Sequence, residues 1–505
     1  MNNNGGRARR RPDDVSRGGV TPSVGTASGQ MRQTYGRSPS SKGSGRPRTT
    51  ESSNNQPSRP QSRRNGSRTD VGTSARGSSG QMRRFRYTPA PRSQALVDIK
   101  REERRLREAE KERKWQEDIV RVKGGVDKIM LAIILVLVCL GSIMVFSASY
   151  PVAVAEGKDS LYYVGRQIRF VAIGSAFMLA ASLFPYKWYK KWGPFVAYGV
   201  SVLLLIAVLF IGKSEGEAKR WIGFGGFTIQ PSELMKVSIV LILAWYVEKF
   251  KPQIDARLDR WHTIKYNVVG PGIFVGIACV LILLEKHLSG TIITGLVALA
   301  VMFVGGCHFG WTALIFGICG AAAGGLFLIA NPYALKRITT FTDDNADKLD
   351  ELYQTTQGIY AIGSGGLWGL GFGQSRQKYS YVSAAHTDFI FSIWCEEMGF
   401  IGGIFLVALF IAFVWRGYVI ASRAPDTFSM LTAFGITTHV GLQAFLNMCV
   451  ASDIIPNTGI SLPFFSYGGS SLIVLLAEMG LLLSISRQYY RKKGDLDREK
   501  LMKDV

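Results

Sequence analysis

The chain is 505 residues long, carries a net charge of +23 and is 47% hydrophobic, yet those averages join two unlike parts. Residues 1–125 hold 29 Lys and Arg against 12 Asp and Glu, a net +17, with few large apolar residues, whereas apolar blocks dominate from there to Arg487. That split excludes a single soluble globular domain, and six cysteines without C-x-x-C spacing argue against a disulfide framework or a zinc site.

Residues 1–92 bury too little apolar surface to offset chain entropy and are expected to form a disordered basic tail. Alone, such a tail suits a nucleic-acid binder. Ahead of a membrane body it reads as a cytoplasmic arm obeying the positive-inside rule and adhering to anionic membrane lipid, with no nucleic acid expected. The stretch SQALVDIKREERRLREAEKERKWQEDIVRV is dense in good helix formers with acid and base three or four apart, and predicts a charged cytoplasmic juxtamembrane helix over 93–125. From 126 to 490 the chain predicts an all-α polytopic membrane domain, followed by a short basic cytoplasmic tail, 491–505.

Runs of about twenty mostly apolar residues suffice to cross a hydrocarbon core of roughly 30 Å. Ten transmembrane helices are predicted: 129–149, 167–185, 194–212, 230–248, 267–285, 289–306, 310–330, 387–415, 427–450 and 463–486. The cysteines, Cys139, Cys279, Cys307, Cys319, Cys395 and Cys449, fall in or beside these blocks and read as small buried hydrophobes. Lys187, Lys190, Lys191, Lys249, Lys251, Arg416, Arg423, Arg487 and Arg491 flank span ends on the side of the basic tail, with Trp188, Trp192, Trp245 and Trp415 as an aromatic belt. Both termini are therefore predicted to be cytoplasmic. Segment 331–386, between the seventh and eighth spans, then lies outside, and a loop of that length in a compact fold is usually functional.

Four outward segments carry more polarity than lipid tolerates without a purpose. In KRWIGFGGFTIQPSELMK, Pro231 suits a helix start, and Glu233 and Lys236, three apart, share one face just inside the bilayer. Such a pair either faces a polar cavity or pins two helices together; Arg220 lies upstream. In LLEKHLSGT, Glu285, Lys286 and His287 interrupt about forty apolar residues and read as an outward turn. In IGSGGLWGLGFGQSRQKYSYVSAAHTDFIFSIWCEEMG no strand precedes the glycines, so a dinucleotide site is disfavoured and the glycines read as backbone that turns or dips where protein surrounds it. Lys378 is placed to meet a phosphate there, and Asp388 to cap a helix; His386, Glu396 and Glu397 stand at or inside a span, the two glutamates without such an explanation. In PNTGISLPFFSYGGSS, Ser466, Gly468 and Gly469 open the last span, serving either close packing or a pyrophosphate.

These segments, in this order, closely resemble the SEDS family (shape, elongation, division and sporulation) over residues 128–490. The resemblance implies a ten-helix fold in the bacterial cytoplasmic membrane with a large extracellular loop between helices 7 and 8. It also implies a glycosyltransferase that polymerises lipid II into a growing undecaprenyl-pyrophosphate-linked peptidoglycan strand. The family's catalytic aspartate stands in a pattern F-L-x-P-x-x-D-P-x-x-x-G-Y-Q. Laid on this chain without a gap, Phe341 takes the Phe, Asp347 the Asp, and Tyr353 and Gln354 the end, while Asp344, Lys348 and Leu352 replace the two prolines and the glycine. By this resemblance Asp347 is the general base that takes the proton from the acceptor 4-hydroxyl. Arg220, Lys236, Lys378 and the Ser466–Gly469 backbone would meet the departing pyrophosphate, beside Glu233, His386, Asp388 and Glu396.

A divalent cation, Mg or Mn, is compatible with that chemistry, but no ligand constellation in the sequence requires it. The turn EKHLSGT in place of Q-P-D-L-G-T leans toward a division (FtsW-like) rather than an elongation (RodA-like) member. The implied partners are a class B penicillin-binding transpeptidase and other divisome proteins. A ten-span bundle with buried charges also fits a transporter or lipid II flippase, and a noncatalytic scaffold is the third reading.

Overall fold

In the computed structural model the described residues are Glu103, 119–184, 186–215, 218–224, 227–256, 258–342, 353–379, 381–382 and 385–492. The predicted tails, 1–92 and most of 491–505, lie outside them, as do Asp347 and, apart from Glu103, residues 93–118 of the predicted charged helix.

Among the described residues the apolar blocks form ten long helices: α1 (Lys128–Ala155), α2 (Tyr162–Leu183), α3 (Gly193–Ile211), α4 (Pro231–Ala256), α5 (Arg260–Leu284), α6 (Leu288–Val304), α7 (Phe309–Ala330), α8 (Ile390–Ser422), α9 (Thr427–Ala451) and α10 (Gly469–Ser486). Eight of them are long and apolar enough to cross a membrane by length and composition. The other two fall short for different reasons: α6 has only 17 residues, and α4 carries Glu233, Lys236, Glu248, Lys249, Lys251 and Asp255. Starts follow the sequence. Pro231 opens α4, and the carboxylates of Asp127, Asp259 and Asp426 accept from the backbone N–H three residues on, at α1, α5 and α9.

One end of the bundle is tied by charges that sit among the basic flanks. Arg416 grips Asp127 side-on through Nη2 and Nε (2.6 and 3.0 Å), Lys190 meets Glu248 (2.7 Å) and Asp426 (3.6 Å), and Arg487 donates to the carbonyl of Ser182 (3.0 Å). The same end corrects the charged-helix expectation: Ile119–Lys123 (β1) is a strand, antiparallel to Gln488–Lys492 (β5). Ile119, Val120 and Val122 are β-branched residues, which suit a strand better than a helix. The opposite end carries a small antiparallel sheet, β2 (Lys213–Glu215), β3 (Ala218–Phe224) and β4 (Phe227–Ile229), and the long segment before α8.

The packed interior, including Met130, Ile239, Val297, Leu431 and Met479, is apolar, and so is the outside: Leu203, Phe210, Ile318 and Ile329 are more than three-fifths exposed. Against lipid, an apolar outer face costs nothing, so burial periodicity is weak. That explains a correction: Cys307, Cys395 and Cys449 are buried, but Cys139 and Cys319 are exposed on α1 and α7. Close approach is set by small residues. A Cβ at Gly480 of α10 would lie 2.3 Å from the Met178 carbonyl of α2, and one at Gly174 2.6 Å from Leu476. Helix α7 is the least integrated, burying only Thr312 and Phe327, and an apolar cleft of about 780 Å³ separates it from α5 and α6.

Candidate active site

At the end opposite the basic flanks, the first turns of α4 and α10 meet α6 and α9. The spacing of Glu233 and Lys236 does put them on one face: Lys236 Nζ is 2.8 Å from Glu233 Oε2, and both side chains are buried. Neither is left to the pair alone. Ser471 of α10 donates to the same carboxylate (3.3 Å), and Lys236 also donates to Gln443 Oε1 of α9 (2.7 Å). Beside them Ser232 meets His287 Nδ1 (3.2 Å), and the Gln230 amide donates to Ser470 (3.2 Å). Taking such charges from water is costly and is offset only when each is multiply bonded, as here. Ser461, Ser466, Gly468 and Ser471 line a small cavity at this junction. Gly468 caps α10 with no side chain, so the first-turn N–H groups form a ready anion cradle.

Arg220, on β3, donates to the Lys286 carbonyl and stands as the opposing charge for Glu285, which is 1% exposed. The 285–287 segment is a turn between α5 and α6.

The glycine-rich run turns, as expected, but most of it is exposed and it meets protein where it packs on α8, with a consequence for the glutamates. Helix α8 is broken at Gly399 (φ 69°), and Leu370 N–H and Gly371 N–H satisfy the Glu396 and Glu397 carbonyls there (3.0 Å each). A Cβ at Gly399 would lie 2.3 Å from the Gly369 nitrogen, so the contact needs glycine on sterics as well as on φ. The two carboxylates then hold the following turn. Glu396 accepts from Ser375 Oγ and from the Arg376 amide (2.9 Å); Glu397 accepts from Ser147 Oγ of α1 (2.6 Å) and from Lys378 Nζ (2.9 Å). Lys378 is therefore corrected. It is 2% exposed, and its three protons go to Glu397, Ser147 and the Gly373 carbonyl (2.7 Å), leaving none for a phosphate.

Three further expectations resolve at the start of α8. Asp388 is not the cap, since the helix begins at Ile390 with Phe389 in the cap position; the Asp388 carbonyl accepts from Asn447 (2.7 Å). Ser466 is a tie between segments, donating to the Thr387 carbonyl and accepting from the Leu462 amide (2.7 Å each), and Gly469 gives room to the Phe170 ring. His386 packs its ring against those of Tyr163 and Tyr467 (5.0 and 5.7 Å), while its carbonyl accepts from the Tyr467 amide.

Burial lowers the His386 pKa, and Glu156, itself held low by Lys158 and Tyr163, opposes that. A depressed histidine favours the native state while neutral. Stability is then full above its ordinary range and declines as pH falls through that range, near 6.5, toward the lower folded pKa. The melting temperature is expected to drop between pH 7.5 and 5.5, and His386→Gln to flatten that part of the profile; an unchanged slope would exclude His386 as its source.

The structure thus gathers Glu233, Lys236, Ser466 and Gly468 at one junction, sets Arg220 and His386 at the same end, and assigns Lys378 and Glu396 to a separate buried network. Sequence reading missed Ser147, Ser375, His439, Gln443 and Glu478. His439, Gln443 and Glu478 are polar residues within long apolar runs, which was the available signal. Among the described residues no three His, Cys, Asp or Glu side chains converge as metal ligands.

A family model described as cell cycle protein, FtsW/RodA/SpoVE, matches residues 127–491. Stage V sporulation protein E of Bacillus subtilis (strain 168) is 38% identical over 371 residues, 72% of this chain and 98% of the relative. The "Probable peptidoglycan glycosyltransferase FtsW" of Geobacter sp. (strain M18) is 37% identical over 366 residues, 72% of this chain and 97% of the relative. Among solved structures, a chain from work on "polymerization and crosslinking by a peptidoglycan synthase complex" superposes with a TM-score of 0.57 at 25% identity, covering 72% of this chain and 98% of that one. The rod shape determining protein RodA of Thermus thermophilus gives 0.53 at 28% identity, covering 72% and 97%.

Proposed function

Because the chain belongs to the FtsW/RodA/SpoVE family of cell cycle proteins, we propose that it is a peptidoglycan glycosyltransferase polymerising lipid II at the outer face of the bacterial cytoplasmic membrane during cell division. The observation that carries this reading is the match, at 37% identity over 97% of its length, to a relative named for that activity. Division is favoured over elongation because that relative is an FtsW. The bundle end with the Glu233–Lys236 junction faces outward, and the end tied by Arg416, Lys190 and Arg487 faces the cytoplasm, with both chain termini.

In the reaction Asp347 takes the proton of the acceptor 4-hydroxyl as that oxygen attacks the anomeric carbon of the second sugar. The bond to the pyrophosphate breaks, and the leaving oxygens gather charge. Lys236, Arg220 and the open N–H groups of α10 at Gly468 and Gly469 supply donors for it. Crosslinking of the new strand requires a transpeptidase, and a class B penicillin-binding transpeptidase is the partner that fits a chain resembling part of a synthase complex.

The full chain with that partner in liposomes should convert fluorescent lipid II into glycan ladders. Transbilayer movement of lipid II without polymer would replace the polymerase reading with a flippase. A fluorescent fusion at the septum supports division; one along the sidewall supports elongation.

A further inference from the structure

The core holds a pair of ionisable groups that this reaction leaves unused. His439, the middle residue of α9, and Glu478 of α10 are each 3% exposed. His439 Nδ1 is 3.1 Å from Glu478 Oε2, and Nε2 is 3.1 Å from Gln443 Oε1. The orientation of the Gln443 amide is fixed twice. Lys236, which only donates, lies 2.7 Å from Oε1, and the Ser461 carbonyl, which only accepts, lies 3.1 Å from Nε2. Nε2 of His439 must therefore carry a proton. Nδ1 then faces Glu478 across one shared proton, carried by the ring beside a carboxylate or by the carboxyl beside a neutral ring. Either way the pair is neutral, the form in which two ionisable groups are tolerated deep in a bundle.

From Glu478 the contacts run through His439, Gln443, Lys236 and Glu233 to Ser471, back on α10 two turns, about 10 Å, nearer the junction. Of the three Lys236 protons, Glu233 and Gln443 take two.

We propose that His439 and Glu478 are positioning residues for Lys236. Glu478 keeps Nε2–H a donor; that donor and Ser461 hold the Gln443 amide in one orientation; Gln443 and Glu233 aim the remaining N–H of Lys236 at the leaving pyrophosphate. Without Glu478 the ring has no partner on Nδ1 and can turn its Nε2–H away from Gln443 Oε1, leaving the amide, and with it the Lys236 ammonium, held by fewer contacts. The inference rests on the polymerase reading above.

The test compares Glu478→Gln with Glu478→Leu in the full chain with its transpeptidase, given fluorescent lipid II, with rates taken well below each variant's melting temperature. Gln keeps an N–H for Nδ1 and should stay within about threefold of the wild-type rate. Leu keeps none and should lose about tenfold to a hundredfold, the cost of a misplaced catalytic contact, in kcat rather than KM. A Gln variant no faster than the Leu variant, or losses that simply follow the melting temperatures, overturns the proposal. A wild-type chain that makes no glycan overturns the polymerase reading itself, whereas an active wild type with a fully active Glu478→Leu overturns this inference alone.

Discussion

Asp347→Asn is expected to abolish lipid II polymerisation while leaving the purified protein folded, and Asp343→Asn and Asp350→Asn to keep most of the activity. Asparagine preserves the shape of the side chain but cannot accept the acceptor's proton at neutral pH, and a general base typically contributes about 10²- to 10⁴-fold. Asp347 lies outside the described residues, so its assignment rests on the gapless pattern from Phe341 to Gln354. Both ends of that pattern belong to described helices: Phe341 is half-buried in Pro332–Thr342, and Tyr353 opens Tyr353–Ser364. The second helix is seated on the start of α8, where Gly358 leaves room for the Phe389 ring and Ser392. Gel ladders of the product and a melting curve decide the matter. Near-normal polymerisation by Asp347→Asn, with either neighbouring variant inactive, would move the base to that neighbour.

What the sequence made legible was whatever repeats within one element. Apolar runs located the helices, Pro231 marked the start of α4, and a spacing of three residues was enough to set Glu233 and Lys236 on one helix face. The glycine run was legible as turning backbone because glycine adopts without steric cost the positive φ found at Gly366, Gly369, Gly371 and Gly373. Partners across elements were not legible. Nothing local in β1 names β5, hundreds of residues away, and nothing in Lys378 names Ser147 of α1 or distinguishes an outward phosphate from an inward Glu397. Asp388 had the composition of a cap and not the place, because α8 starts one residue later than a capping aspartate there would require. His439 and Glu478 each look like isolated polar residues in an apolar helix; only packing shows that they meet.

The largest stability effect is expected at Lys378 and Glu397. Glu397→Leu strands a buried ammonium, and Lys378→Met strands a buried carboxylate; each single change should cost about 3–5 kcal/mol, the usual penalty for an uncompensated buried charge. The double variant should recover much of that loss, because two apolar side chains of similar volume leave no charge to compensate. Recovery stays incomplete, since Ser147 and the Ser375 amide also lose an acceptor when Glu397 goes. Melting temperatures of the three variants and the wild type in one detergent complete the cycle. The alternative, in which Lys378 serves a phosphate, makes the opposite forecast: Lys378→Met would lose activity at unchanged stability, and adding it to Glu397→Leu would restore nothing. The geometry favours the first outcome, because an ammonium with all three protons bonded inside the protein can meet a phosphate only by breaking the contacts that hold the 373–378 turn against α8.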